Sequence, residues 1–259
     1  MISLAPVFSL EFPPLTHIVQ WPAFLFEDTA FAINKVVMVY FFAIIMTVTL
    51  FVLGNKKQLV PTGAQNLAET SVSFIEDEIV MPTMGADGMK YAPFLASIFF
   101  FVLFTNIFEV VPVIQMPASA RIALPMLLAL TVWFVFIIVG IINQGPIGYF
   151  KNSLFPPGVP PTLYILVTPI EFVSTFLVRP FSLMVRLFAN LLAGHILLVT
   201  FAVLSSGLVI GKWYAVFLPL PVFAVIFFTA FEVLVSFLQA YVFALLTGVY
   251  IGTSLHAEH

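Results

Sequence analysis

Apolar residues fall into long blocks separated by short polar breaks. From Val36 to Asn55 no charged residue appears, and Lys56 and Lys57 follow. Twenty uncharged residues cross roughly 30 Å of hydrocarbon as an α-helix, so this block predicts a first membrane span. A second span is predicted over about Tyr91 to Pro112, and a third over about Ile122 to Asn143. The stretch FPPGVPP, Phe155 to Pro161, stops any helix. Two longer blocks follow, 162–206 and 215–253. A continuous 45-residue helix is about 68 Å long, twice the bilayer core, so each must be broken or strongly tilted. SSGLVIGK, Ser205 to Lys212, with Pro219 and Pro221, supplies the turn between them.

The most polar part of the chain lies at 54–90. There Leu67, Phe74, Ile75 and Ile79 share one helix face, with Glu69, Glu76, Asp77 and Glu78 largely elsewhere. This predicts an amphipathic surface helix over about 67–82 with a solvated acidic face. Residues 1–30, with Glu11, Glu27, Asp28 and Trp21, read as a short extramembrane lead-in, and no signal peptide is expected. The fold expected is therefore all-α and membrane-integral, with about five spans. Its units are the lead-in at 1–30, upright helices and loops at 31–161, and a tilted antiparallel hairpin at 162–259.

Composition agrees with that reading. The 259-residue chain is 62% hydrophobic and 8% charged, against about 25% charged residues in a soluble domain. It lacks a basic block, so nucleic acid is not an expected partner. It has no cysteine, which removes thiolate chemistry and cysteine metal sites. Neither a nucleotide-binding glycine motif nor a hydrolase signature is present. No cofactor or metal is expected. The loops at 54–90 and 143–161 hold Lys56, Lys57, Lys90 and Lys151, while the opposite loops hold Arg121 and Lys212. The lysine-rich side should be cytoplasmic, with the N-terminus outside and the C-terminus inside.

A few charges interrupt the apolar blocks. After Arg186 no Lys, Arg, Asp or Glu appears until Lys212, and Glu232 stands alone between Lys212 and Glu258. A charge at the bilayer centre costs on the order of 3 kcal/mol or more, so a retained one faces a bundle interior or a water path. Plainer readings exist for each. Arg186 snorkels from a tilted helix, His195 is a hydrogen-bonded core histidine, or Glu232 forms a static ion pair with Arg186. Arg179 fits snorkelling better than Arg186 does. Glu109, beside Pro112, reads as interfacial, and Arg121 as a span-end anchor.

Spacing weighs against the static pair. An antiparallel hairpin turning at Lys212 or Trp213 sets Arg186 opposite Gln239 and His195 opposite Glu232. Asn190 then falls near Val235 and Ser236. Arg186, Ala189, Asn190 and Ala193 form one helical stripe, whose small residues permit close approach of another helix. His195 lies nine residues on, about half a turn around and about 13.5 Å along. The arginine therefore looks outward while His195 and Glu232 meet behind it, a layout for a proton path.

RLFANLLAGH (Arg186 to His195) and FLQAYVFALLTGVYIG (Phe237 to Gly252), with RPFSLMV and FTNIFEVVP upstream, resemble subunit a of bacterial F-type rotary ATP synthases. The likeness runs from about residue 30 onward. It implies a non-catalytic stator subunit, in the bacterial plasma membrane, that carries protons past a rotating c-ring and contacts b-type peripheral stalk subunits. It implies that Arg186 is the essential arginine and Asn190 and Gln239 its polar neighbours. His195 and Glu232 become half-channel groups, and Glu171, fifteen residues before the arginine, a further channel acid. An Na⁺-translocating version, or a secondary transporter with a midplane site, are the alternatives.

Overall fold

The computed structural model describes residues 34–54, 63–111, 118–155, 159–210 and 214–255. The lead-in at 1–30, Lys56, Lys57, Pro112, Lys212 and Trp213 lie outside them. Among the described residues the chain is all-helical, with no strand. The helices are α1 (Lys35–Gly54), α2 (Ala64–Ile75), α3 (Met81–Met84), α4 (Ala92–Val110), α5 (Ala123–Gln144), α6 (Pro146–Leu154), α7 (Tyr164–Val173), α8 (Arg179–Ile210) and α9 (Pro219–Leu255). Five helical stretches are long and apolar enough to cross a membrane: 35–54, 86–110, 123–144, 164–209 and 219–255. The predicted spans thus appear within about five residues of their expected ends.

The core gathers where α4, α5, α8 and α9 meet. Phe99, Phe136, Leu183, Leu187 and Phe243 are fully buried there. Outward residues such as Phe41, Leu127 and Phe223 are exposed, as a lipid-facing surface requires. Lipid tails are as apolar as leucine, so burial alone gives such helices little reason to associate. Close packing at small residues supplies one: a Cβ at Gly248 or Gly252 would meet Thr83 of α3.

That contact changes the picture of the polar stretch. The predicted surface helix exists, but runs from Ala64 to Met84 through a π turn at Glu76–Val80. Ile75, Ile79, Val80 and Met84 pack into the main core. Leu67 does not join that face and is 65% exposed. The π turn shifts the helix phase, so one straight helical wheel over 67–82 misplaces its start. Glu69, Asp77 and Glu78 are exposed, as expected for the acidic face.

The stretch after α5 is also more ordered than the prolines suggest. Gly145 adopts φ 73, which breaks the chain sharply, and α6 follows. Its Tyr149 packs against Gly140 of α5 and hydrogen-bonds with Ser254 and Ser153. Burial pushes the Tyr149 phenol above its usual range against those bonds. Gln144 adds a 2.9 Å bond to the Ser254 carbonyl, tying α5 to the end of α9.

Neither long block is broken into separate helices. From Tyr164 to Ile210 the chain is continuously helical, with one π turn at Ser174–Val178 between α7 and α8. Pro180 explains the π turn, because its ring would collide with the carbonyl of residue 176 in a regular helix. The turn predicted at Ser205 to Lys212 starts late: α8 continues through Gly207 to Ile210, and a short 3₁₀ segment follows at Tyr214–Phe217. Leucine, valine and isoleucine around Gly207 carry the helix through a single glycine.

Candidate functional site

Two polar assemblies sit on the α8–α9 pair. The first is a buried group of titratable side chains. His195 on α8 and Glu232 on α9 are both buried. Glu232 lies within electrostatic reach of His195 and of Glu109. His195 Nδ1 stands 3.4 Å from Glu109 Oε1. That is ion-pair distance without hydrogen-bond geometry, since Glu109 Oε1 is otherwise unpaired. Gly194 makes room for the acid: a Cβ there would overlap the Glu232 carboxylate.

Glu109 sits at the end of α4 as expected, but it is packed inside the protein rather than facing solvent. It is 3% exposed, on the α4 face that also buries Thr105 and Asn106. Asn106 Oδ1 accepts a 3.3 Å bond from Ser119 Oγ, and its Nδ2 has no partner among the described residues. The available signal was the i, i+3 placement of Asn106 and Glu109 on one face. Distance from Pro112 could not reveal it, because depth depends on how far neighbouring helices extend.

The second assembly is the arginine stripe. Arg186 is half-buried, while Ala189, Asn190 and Ala193 are exposed along the same side of α8. Asn190 Nδ2 donates to Gln239 Oε1 at 2.7 Å. Gln239 is buried and its Nε2 is unpaired. Arg186 forms no hydrogen bond or ion pair among the described residues. The static Arg186–Glu232 pair is therefore absent.

Contacts across the hairpin scatter around the expected register: Gly194 against Glu232 matches it, while Asn190 bonded to Gln239 and Phe201 stacked on Phe228 sit two to four residues away. The longer α8, helical to Ile210 with helix again from Pro219, accounts for the displaced pairs. His195 and Glu232 stay within electrostatic reach of each other.

Arg179 is anchored instead of free. Its Nη1 lies 3.4 Å from Thr253 Oγ1, and its guanidinium stands 5.2 Å from the Tyr250 ring centre. Glu171, on α7, is half-buried and makes no hydrogen bond or ion pair among the described residues. The structure keeps it apart from the His195 group.

Comparison with known proteins decides the family. The profile of the ATP synthase A chain family matches residues 36–252. The chain belongs to the ATP synthase A chain family. ATP synthase subunit a of Rhodococcus erythropolis is 42% identical over 241 residues, covering 92% of this chain and 88% of that one. The subunit a of Frankia alni is 40% identical, covering 88% and 79%. That of Hyphomonas neptunium is 42% identical, covering 83% and 84%. The family match spans all five candidate membrane helices almost entirely, from α1 to Gly252 in α9.

Proposed function

We propose that this chain is the proton-conducting stator subunit in the membrane sector of an ATP synthase, acting on a ring of c subunits and held by b-type stalk subunits. The observation that carries the reading is an unneutralised guanidinium, Arg186, on an exposed stripe of small residues. A rotor helix bearing a mid-membrane carboxylate can approach Ala189 and Ala193 closely. The arginine then meets that carboxylate transiently and favours its ionised form. A guanidinium stays protonated at any reachable pH, so it cannot relay a proton and blocks leakage past itself.

Protons enter through the buried Glu109–His195–Glu232 group. Its members come from three helices and differ in charge when ionised, which suits stepwise transfer. The unpaired amides of Asn106 and Gln239 favour water beside the path. Arg121 precedes α5 at the end where α4 finishes at Val110, next to Glu109, whereas Lys90 and Lys151 lie at the opposite end. Positive charge favours the cytoplasmic face, so the Glu109 end faces outside and Glu171 serves the inner exit. The 46-residue stretch Tyr164–Val209 is about 69 Å long, so it crosses at a steep tilt. Residues 162–259 then carry most of the path, and 31–161 brace it and contribute Glu109 to its entry. Each proton moving down 100 mV releases about 2.3 kcal/mol.

Proton pumping in inverted vesicles tests the reading. Arg186→Ala should abolish ATP-driven pumping, and His195→Ala should only reduce it, since water bridges one missing relay group. Full pumping by Arg186→Ala, in a complex that retains its ring, overturns the proposal.

A further inference from the structure

We infer that the π turn at Ser174–Val178 is a positioning device: it absorbs one residue of phase and thereby turns the Glu171 carboxylate from the outward flank of Arg186 to the flank beside the buried Leu183, Leu187 and Leu191 seam. Fifteen residues separate Glu171 from Arg186. In an unbroken α-helix that spacing puts Glu171 about 60° from Arg186, on the side away from the buried Leu183, Leu187 and Leu191 seam. A π turn takes up one extra residue, so the effective spacing is one shorter. Glu171 then stands about 40° from Arg186 on the seam side, a swing of about 100°.

Burial along α7 follows the corrected phase. Tyr164, Val167, Thr168 and Glu171 are half-buried, while Ile165, Leu166, Ile170, Phe172 and Val173 are exposed. On an unbroken helix the half-buried set would point away from the seam. The partner of that set is α6: Thr168 Oγ1 donates to the Leu154 carbonyl at 3.2 Å. In turn, α6 is fixed to α5 and α9 by Tyr149 against Gly140 and Ser254. Half-burial on α7 therefore marks the core side.

The orientation stands on this geometry, while its use as a proton exit rests on the function proposed above. The test separates the two. The chain has no cysteine, so Glu171→Cys supplies a single labelling site. A membrane-impermeant maleimide is applied to inverted vesicles carrying the assembled complex. Deleting Leu177, which faces outward, together with Pro180→Ala removes the extra residue and the proline ring that opposes a regular helix, and lets the segment become regular α-helix at the same phase. Labelling should stay within about twofold, and the same deletion with Glu171 intact should still pump. Inserting one alanine after Leu177 restores the uncorrected phase and should cut labelling at least about tenfold. Loss of labelling on deletion, failure of the deletion variant to assemble, or unchanged labelling after insertion each overturns the inference. Arg186→Ala should leave labelling intact, so a failed proton path and a failed orientation give different results.

Discussion

Asn190 Nδ2 donates a 2.7 Å hydrogen bond to Gln239 Oε1 one helical turn after Arg186, and the guanidinium takes no part in it. The pair links α8 to α9 beside the arginine without neutralising it. A neutral hydrogen bond contributes about 0.5–1.5 kcal/mol net, and a buried group left without its partner costs about 1–3 kcal/mol. Gln239→Leu should therefore reduce pumping several-fold while leaving the complex assembled. Asn190→Leu should have a smaller effect, because Asn190 is exposed and Gln239 is not. A double-mutant cycle on initial pumping rates checks the coupling. Strict additivity would show the bond to be irrelevant to transport.

Gly194 sets the place of Glu232. Any Cβ at position 194 overlaps the carboxylate. Overpacking at such a site costs about 1–3 kcal/mol, or the side chain moves. Moving it takes Glu232 from His195 and Glu109. Gly194→Ala should lower pumping by about tenfold, the rate equivalent of about 1.4 kcal/mol. Adding Glu232→Asp shortens the acid and should restore part of the loss. Pumping rates of the single and double variants check this, and a double variant no better than Gly194→Ala would point to another cause.

Much of this architecture is legible in the sequence because a bilayer imposes one rule on uncharged runs. The spans, the hairpin and the outward stripe of Arg186, Ala189, Asn190 and Ala193 follow from length and helical period alone. The pairing of His195 with Glu232 is legible to the extent that the two lie within electrostatic reach, with Glu232 packed against neighbouring Gly194. The Arg186–Gln239 juxtaposition is not, since the turn position decides which residues face each other. Glu109 is hidden for a different reason: its burial comes from α8 and α9, nearly a hundred residues away. Each π turn has one local signal, a proline two residues past its end (Pro82 and Pro180), which marks a strained spot without saying how the helix accommodates it.

Gly252 and Gly248 let the Ala64–Met84 helix lie flat on α9. A Cβ on Gly252 meets the Thr83 backbone oxygen, which cannot rotate away, whereas a Cβ on Gly248 meets the Thr83 side chain. Gly252→Ala should therefore destabilise more than Gly248→Ala, by about 1–3 kcal/mol in the first case. Thermal unfolding of the purified complex in detergent checks the order. Equal midpoints for the two variants would show that backbone contact is not what limits the approach.

The Glu109–His195 contact offers the sharpest separation between a relay and a merely structural polar core. Both groups are buried, and they stand at ion-pair distance across α4 and α8. Glu109→Gln keeps the shape and removes the titrating group. If the pair passes protons, this variant should slow pumping several-fold and change its pH profile, while assembly and thermal midpoint stay near the parent. Glu109→Leu removes the polar group as well and should affect both properties. His195→Ala combined with Glu109→Gln should be little slower than the worse single variant, because two members of one relay fail together. Pumping assays across pH, with the purified complexes compared by thermal unfolding, read both quantities. A Glu109→Gln variant with parental rate and pH profile would reduce Glu109 to a packing role and leave the entry path to His195 and Glu232.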